Sequence, residues 1–228
     1  AYENLVETGS QLNQLRGLRA IGFFKDEADI ASSPKQLFST CQPGDVKYED
    51  VNQDGVIDKN DYVNIGYTSA CPEIYYQFHL GVEWNGIGIT AMFQGTGRFS
   101  GIKNISGGYY GLIKNTSLFQ DAYDNRWTPA TAETSKYPRL SSQSNSNNYQ
   151  NSTLWLFDRS FLKLRNLEVY YNLPKSALQG ISFLHAAKVY LRGVDLFTFD
   201  HVKGMDAEYY SATQPLTRSV VAGVAVTF

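Results

Sequence analysis

Charge is scarce in this sequence. Acidic and basic residues fill 18% of its 228 positions, and 20 Lys+Arg against 22 Asp+Glu leave a net charge of -2. That balance argues against a nucleic-acid partner and gives no pull toward an anionic membrane surface. Long apolar runs are missing as well. None approaches the roughly 18 residues of a spanning helix, so any membrane role must use strands. Histidine is confined to His79, His185 and His201. None has a metal-ligand partner at i+4 or a nucleophile in a recognisable context, so all three read as structural. No motif sets two carboxylates at the working separation of a glycosidase, and an enzyme is not expected. Cys41 and Cys71 are the whole cysteine complement. With no third cysteine or histidine pair to make a zinc site, they form either a disulfide or two free thiols. No signal-peptide pattern opens the sequence, so if its strands do serve an outer membrane it is expected to be a processed or cut piece of something longer.

What is abundant is strand-forming material. Hydrophobic residues make up 43% of the chain, including 16 Tyr and 13 Phe. Aromatics favour strands, and Tyr with Trp also gathers at membrane interfaces. The last residues alternate. Val220, Ala222, Val224, Val226 and Phe228 share one face, and Ser219, Gly223, Ala225 and Thr227 the other, with Val221 the bulky exception. Residues 74–84 alternate from Gln77 onward, with Phe78, Leu80, Val82 and Trp84 on one side. Asn85-Gly86 follows, the strongest two-residue hairpin signal because both turn positions need positive φ. The return strand carries Ile87, Ile89, Ala91 and Phe93. A two-residue turn then pairs Trp84 with Ile87, Val82 with Ile89, Leu80 with Ala91 and Phe78 with Phe93, apolar against apolar throughout.

Further strands follow from Leu162 to Leu173 and from Val189 to Phe199. Leu162 and Leu164 have the opposite parity to Leu167, Val169 and Tyr171, so a bulge near Arg165-Asn166, or a change of environment there, is expected. Pro174 ends that strand, and 175–179 is expected to make one helical turn. Lys163, Arg165, Lys188 and Arg192 have polar parity and are read as lumen-lining, with a surface position the alternative. Links between strands alternate long (25–73), short (85–86), long (98–153), short (174–183) and long (200–216). Outer-membrane barrels have short periplasmic turns and long extracellular loops. A compact soluble domain avoids connections of about fifty residues without structure. The expected fold is therefore all-β: strands of a transmembrane antiparallel β-barrel with long extracellular loops.

The first long connection carries Asp50-Val51-Asn52-Gln53-Asp54-Gly55-Val56-Ile57-Asp58-Lys59-Asn60-Asp61. Against the calcium loop D-x-[DN]-x-[DN]-G, ligand positions 1, 3 and 5 are Asp50, Asn52 and Asp54. Gly55 makes the turn, the Val56 carbonyl takes position 7, Asp58 position 9, and Asp61 replaces the usual Glu at position 12. Hard oxygen donors at this spacing suit Ca2+ and suit transition metals poorly. An Asp/Asn/Gly-rich turn without metal is the alternative. Cys41 and Cys71 flank this loop, and in an oxidising extracellular setting a disulfide between them would tie it down. In the second long connection Tyr109, Tyr110, Tyr123, Trp127 and Tyr149 are candidates to stack on sugar rings. Packing of the loop, or contact with a partner protein, is the alternative.

Several ordered stretches together resemble a known family. They include Gly22-Phe23-Phe24, then Gly44-Asp45-Val46-Lys47-Tyr48-Glu49-Asp50-Val51-Asn52-Gln53-Asp54-Gly55, then Asn64-Ile65-Gly66 and Phe93-Gln94-Gly95. Arg126-Trp127-Thr128-Pro129, Lys136-Tyr137-Pro138-Arg139-Leu140 and Phe161-Leu162-Lys163-Leu164-Arg165-Asn166-Leu167 continue the set. Asp195-Leu196-Phe197-Thr198, Lys203-Gly204-Met205-Asp206 and Val226-Thr227-Phe228 close it. From about Gly17 onward the chain resembles the C-terminal third of the SusC/RagA family of TonB-dependent outer-membrane transporters. Ala207-Glu208 departs from the family, which often has Pro after the Asp.

The resemblance implies a place in the cell outer membrane and a barrel of about 22 strands, of which residues 1–228 are the C-terminal portion, with 25–73 an extracellular loop. A plug domain and a TonB-contacting segment would lie in an N-terminal part absent from these residues. A SusD-like lipoprotein is the implied partner, outer-membrane lipid the surroundings, and an oligosaccharide or peptide the cargo. Roughly six strands at most leave two exposed edges, so a second chain or the remaining part is expected to supply the others. A secreted calcium-dependent glycan-binding β-sandwich is the competing class.

Overall fold

The computed structural model describes residues 3–103, 108–109, 117–180, 183–202, 206–208 and 216–228. Strands run in the order β1 (Arg16–Gly17), β2 (Ala20–Phe23), β3 (Lys35–Gln36), β4 (Val46–Tyr48), β5 (Val56–Ile57) and β6 (Val63–Asn64). Next come β7 (Ile74–Trp84), β8 (Ile87–Gly97), β9 (Ser100–Ile102) and β10 (Leu156–Asp158). The last three are β11 (Phe161–Asn172), β12 (Ala186–Asp200) and β13 (Ser219–Thr227). Helices are short: α1 (Glu27–Ser32), α2 (Gln120–Asp124) and α3 (Lys175–Leu178). Among the described residues no helix is long and apolar enough to cross a membrane. The chain divides into two compact units, one formed by Ala1–Cys71 with Phe99–Asp158, the other by Pro72–Arg98 with Arg159–Phe228.

The second unit holds a five-stranded antiparallel meander in the order β13-β12-β11-β8-β7. Its first hairpin has the register that alternation and turn chemistry dictate, with Trp84 opposite Ile87 and Phe78 opposite Phe93. Asn85 and Gly86 have φ of 51° and 83°, the paired left-handed geometry of a two-residue hairpin turn. The expected bulge is present. Arg165 is an extra residue in β11 relative to β8, since Leu164 faces Phe93 and Asn166 faces Met92. One inserted residue brings Leu164 and Leu167 to the same face despite their opposite parity. β12 bulges at the same level, because Leu164 faces Phe197 while Asn166 faces Val194, leaving Asp195 and Leu196 over. Helix α3 occupies the short link after Pro174, as expected. Among the described residues β7 and β13 each have one neighbour in the sheet, which is open at both sides.

The first unit gathers most of the first two long connections into one folded body. Four two-stranded sheets form there, pairing β1 with β6, β2 with β4, β3 with β5 and β9 with β10. Leu18, Val46, Tyr48 and Ile57 make its apolar core. Among the described residues the edge of β4 has no further strand beside it, and side-chain amides complete its ladder. Asn148 Oδ1 accepts from the Val46 amide at 2.8 Å, Asn147 Nδ2 donates to the Val46 carbonyl at 2.9 Å, and Gln36 Oε1 accepts from the Tyr48 amide at 2.7 Å. Buried backbone groups need partners, and here amides up to 111 positions distant in sequence bond one another as well. Asp45, fully buried, anchors the same cluster. It accepts from Asn145 and Asn148 at 2.9 Å each and lies 2.7 Å from Arg139 Nε.

Candidate functional site: the sorted faces of the sheet and the acidic loop

The meander sorts its side chains by face, in rows that cross all five strands. Val82, Ile89, Val169, Leu191 and Ala222 form one row, and Trp84, Ile87, Tyr171, Val189 and Val224 the next. On this face large hydrophobic groups lie open: Leu80 is 59% exposed, Val82 67%, Trp84 80%, and Val220 69%. A contiguous apolar surface of this extent marks a face that meets something other than water. The eleven residues of β7, rising about 3.4 Å each and tilted by about 40°, span about 26 Å, the height of an outer-membrane apolar band.

The opposite face is polar and knitted by cross-strand contacts. Glu168, buried, accepts from Lys188 at 2.8 Å and from Arg192 Nε at 2.7 Å. Glu83 accepts from the Tyr170 hydroxyl at 2.8 Å and from Asn172 at 3.2 Å. Tyrosine rings lie flat over glycines of the adjacent strand. A Cβ on Gly223 would sit 2.5 Å from the Tyr190 ring, and one on Gly88 would sit 2.1 Å from Tyr170. The ring fills the groove that glycine opens and covers a backbone otherwise bare, a device that stabilises strongly twisted sheets. Lys188 in turn lies 5.0 Å from the Tyr170 ring centroid and 5.3 Å from that of Tyr190.

The four basic residues read as lumen-lining fall on this face, at two levels. Their carboxylate partners were not visible in the sequence. Lys163 bonds Glu208 at 3.0 Å, and Arg165 bonds Asp195 at 2.8 Å and Gln94 at 2.7 Å. Only the bulge hinted at the second pair.

The acidic loop is wound around its own backbone. Asp50 Oδ2 accepts from the Gly55 amide at 2.9 Å, Asn52 Oδ1 from the Asp54 amide at 3.0 Å, and Asp54 Oδ1 from the Val56 amide at 3.0 Å. Gln53 and Gly55, with φ of 59° and 85°, bend the chain to allow this. Asp58 caps a 3-10 turn and accepts from the Asn60 amide at 2.6 Å. Asp61, fully buried, closes the loop from the far end, accepting from the Val51 and Asp58 amides at 2.9 Å each. Among the described residues no three Asp, Glu, His or Cys side chains converge closely enough to hold a metal by themselves. One oxygen of the loop stands out: Asp50 Oδ1 is shielded from solvent and has no hydrogen-bond partner among the described residues.

Both cysteines are free thiols, so the bridge expected between them is not formed. Cys41 is held inside the unit, taking a 3.4 Å contact from Gln36 Nε2, and burial pushes its thiol pKa up; Cys71 is exposed. A thiol kept protonated by burial is a poor partner for disulfide exchange.

The candidate stacking aromatics are scattered. Tyr109 and Tyr149 pack on the buried Trp155 with ring centroids 5.3 and 5.7 Å away, so their faces are occupied by protein. Burial also raises the Tyr109 and Tyr137 hydroxyl pKa values. Trp127 covers Gly44, where an added Cβ would meet its ring at 2.3 Å. Tyr123 is 49% exposed, with the Arg126 guanidinium 3.9 Å above its ring. Tyr110 lies outside the described residues.

No family model matches the chain. Two proteins of Formosa agariphila resemble it along most of its length. TonB-dependent receptor P26 is 26% identical over 96% of the chain, and TonB-dependent receptor P3 is 26% identical over 90%. The chain spans only 23% and 19% of their respective lengths. Among solved structures, that of the RagAB peptide transporter superposes with a TM-score of 0.68 at 23% identity, covering 93% of this chain and 22% of that one. The RagAB peptide importer in its closed-closed state gives 0.65 at 24% identity, covering 93% and 23%. The chain is thus similar along most of its length to TonB-dependent receptors, and its fold resembles that of a part of the RagAB peptide transporter.

Proposed function

We propose that these residues form a wall segment of an outer-membrane importer, with the apolar rows of the meander facing lipid and its polar face lining the transport path. Proteins of this kind reside in the outer membrane. The observation that carries the reading is the five-stranded sheet with two sorted faces, open at both edges. In lipid an unpaired strand edge costs several kcal/mol per orphaned backbone group, so further strands of the same protein complete the barrel. Energy reaches it from TonB through that remainder, and a SusD-like surface lipoprotein works beside it on the side of the long connections. Peptides are the cargo of RagAB; for this protein the cargo is a peptide or an oligosaccharide. The secreted sandwich is disfavoured because every other sheet among the described residues has two strands, too few for a second layer. Photolabelling from within the bilayer at Val224 and Ile89 tests the reading. Labelling at both positions is expected, and a water-soluble particle with both side chains packed against protein would overturn it.

The acidic loop is proposed to take Ca2+, with Asp50, Asn52, Asp54 and the Val56 carbonyl as donors and Asp58 and Asp61 shaping the loop. The orphaned Asp50 Oδ1 supports this, because a buried carboxylate oxygen without a partner is costly and a hard cation satisfies it. Ca2+ there would cross-link the loop. A chelator-sensitive unfolding midpoint, abolished in Asp50→Asn, is the expected result; a midpoint indifferent to Ca2+ would rule the site out.

A further inference from the structure

Residues 206–208 belong to the third long connection, between β12 and β13, yet they lie on the polar face of the sheet. Ala207 is fully buried. Three cations of one strand region, all on one side of it, hold the segment down. Arg159 donates to the Ala207 and Glu208 carbonyls at 3.3 Å each. Lys163, only 1% exposed, lies 3.4 Å from Asp206 and 3.0 Å from Glu208. Arg165 pairs with Glu208 and with Asp195.

The two stacked bulges explain how this is possible. Arg165 is the inserted residue of β11, and Asp195 belongs to the insertion opposite it in β12, at φ 53°. A bulge re-aims a side chain that a regular ladder would send elsewhere. Here the paired insertions turn Arg165 and Asp195 toward each other, leaving the guanidinium's second arm for Glu208. A lysine as buried as Lys163 is tolerable only with carboxylates beside it, and Asp206 and Glu208 supply them.

We propose that residues 206–208 are a strap latched against the polar face by Lys163 and Arg165, standing into the transport path at the level of the bulges and so limiting the size of what passes. Lys163 and Arg165 are positioning residues in this account. The inference rests on the polar face lining a path, as proposed above.

The test uses the intact transporter in membranes, with its other cysteines changed to serine. Ala207→Cys reports on the latch. In the parent it reacts slowly with a maleimide, and adding Glu208→Ala or Lys163→Met is expected to speed the reaction at least about tenfold, the scale of losing one charged hydrogen bond. Glu208→Ala leaves every sheet residue in place, which guards against misfolding as the cause. Thr90→Cys, on the polar face two rows beyond Lys163, reports on the path. The ratio of reaction with a polymer-tethered maleimide to that with a small one is expected to rise about tenfold when the strap is released.

A reporter at 207 that reacts equally fast in parent and variants would overturn the latch. A released strap with an unchanged size ratio at position 90 would overturn the constriction. If position 90 reacted with neither reagent in any variant, the importer reading would fail, while position 207 would still judge the latch.

Discussion

Replacing Leu80 by arginine should cost far more than replacing His79, its neighbour in the same strand. Leu80 lies near the middle of β7, 59% exposed on the apolar face, in a row with Ala91, Leu167, Gly193 and Val220. His79 points to the other face, opposite Met92, and is also exposed. In water the two substitutions would be nearly equivalent, since each adds a charge to an open position. In a bilayer they separate. Arginine at mid-depth on the lipid side of a barrel costs about 2–4 kcal/mol. That is roughly a 30- to 700-fold fall in the ratio of folded to unfolded protein. A charge on a wetted lumen face carries little such penalty. The assay is reversible folding of the intact protein into lipid vesicles against a denaturant gradient, read by the shift in midpoint. Leu80→Arg is expected to lower the midpoint strongly and His79→Arg slightly. Equal costs, or a harmless Leu80→Arg, would refute the assignment of faces.

Other predictions follow from particular contacts. Asp45→Ala removes the carboxylate beside the Arg139 guanidinium and between the Asn145 and Asn148 amides, and breaking such a buried pair is expected to cost about 3–5 kcal/mol. Limited proteolysis of the first unit would show it, and adding Arg139→Met to Asp45→Ala should recover part of the loss in a double-mutant cycle. Gly223→Val forces a Cβ into the Tyr190 ring, at a cost of about 1–3 kcal/mol, partly relieved by a smaller residue at position 190. The strap should hold in mild acid. Burial of Glu208 alone would raise its pKa, but hydrogen bonds from Arg165 and Lys163 outweigh it and hold the value below the usual 4.5. A depressed carboxylate contributes stability that is complete above its unfolded pKa and vanishes as pH falls through the folded one. Protection of a cysteine at position 207 is therefore expected to persist from neutral pH down to about 4.5 and to fail below it. Loss of protection already near neutrality would contradict the ion pairing.

Alternation along the chain located the five long strands and the register of the first hairpin, while the order of the strands in the sheet came from tertiary structure. β7, β8, β11, β12 and β13 stand where the apolar parity and the Asn85-Gly86 turn place them, and the Leu164–Leu167 parity conflict located the bulge. Those signals are local: a strand's faces follow from a period of two, and a hairpin register from its turn. What the long connections do was a matter for tertiary structure. Residues that read as loop, such as Asn147 and Asn148, complete the ladder of a strand about a hundred positions earlier, and Tyr109 and Tyr149 lie against Trp155 instead of facing outward. The Asp206 and Glu208 carboxylates that meet Lys163 and Arg165 likewise come from a connection with no periodicity of its own. A polar side chain carries no record in its neighbours of the distant group that will satisfy it, whereas a strand writes its two environments residue by residue.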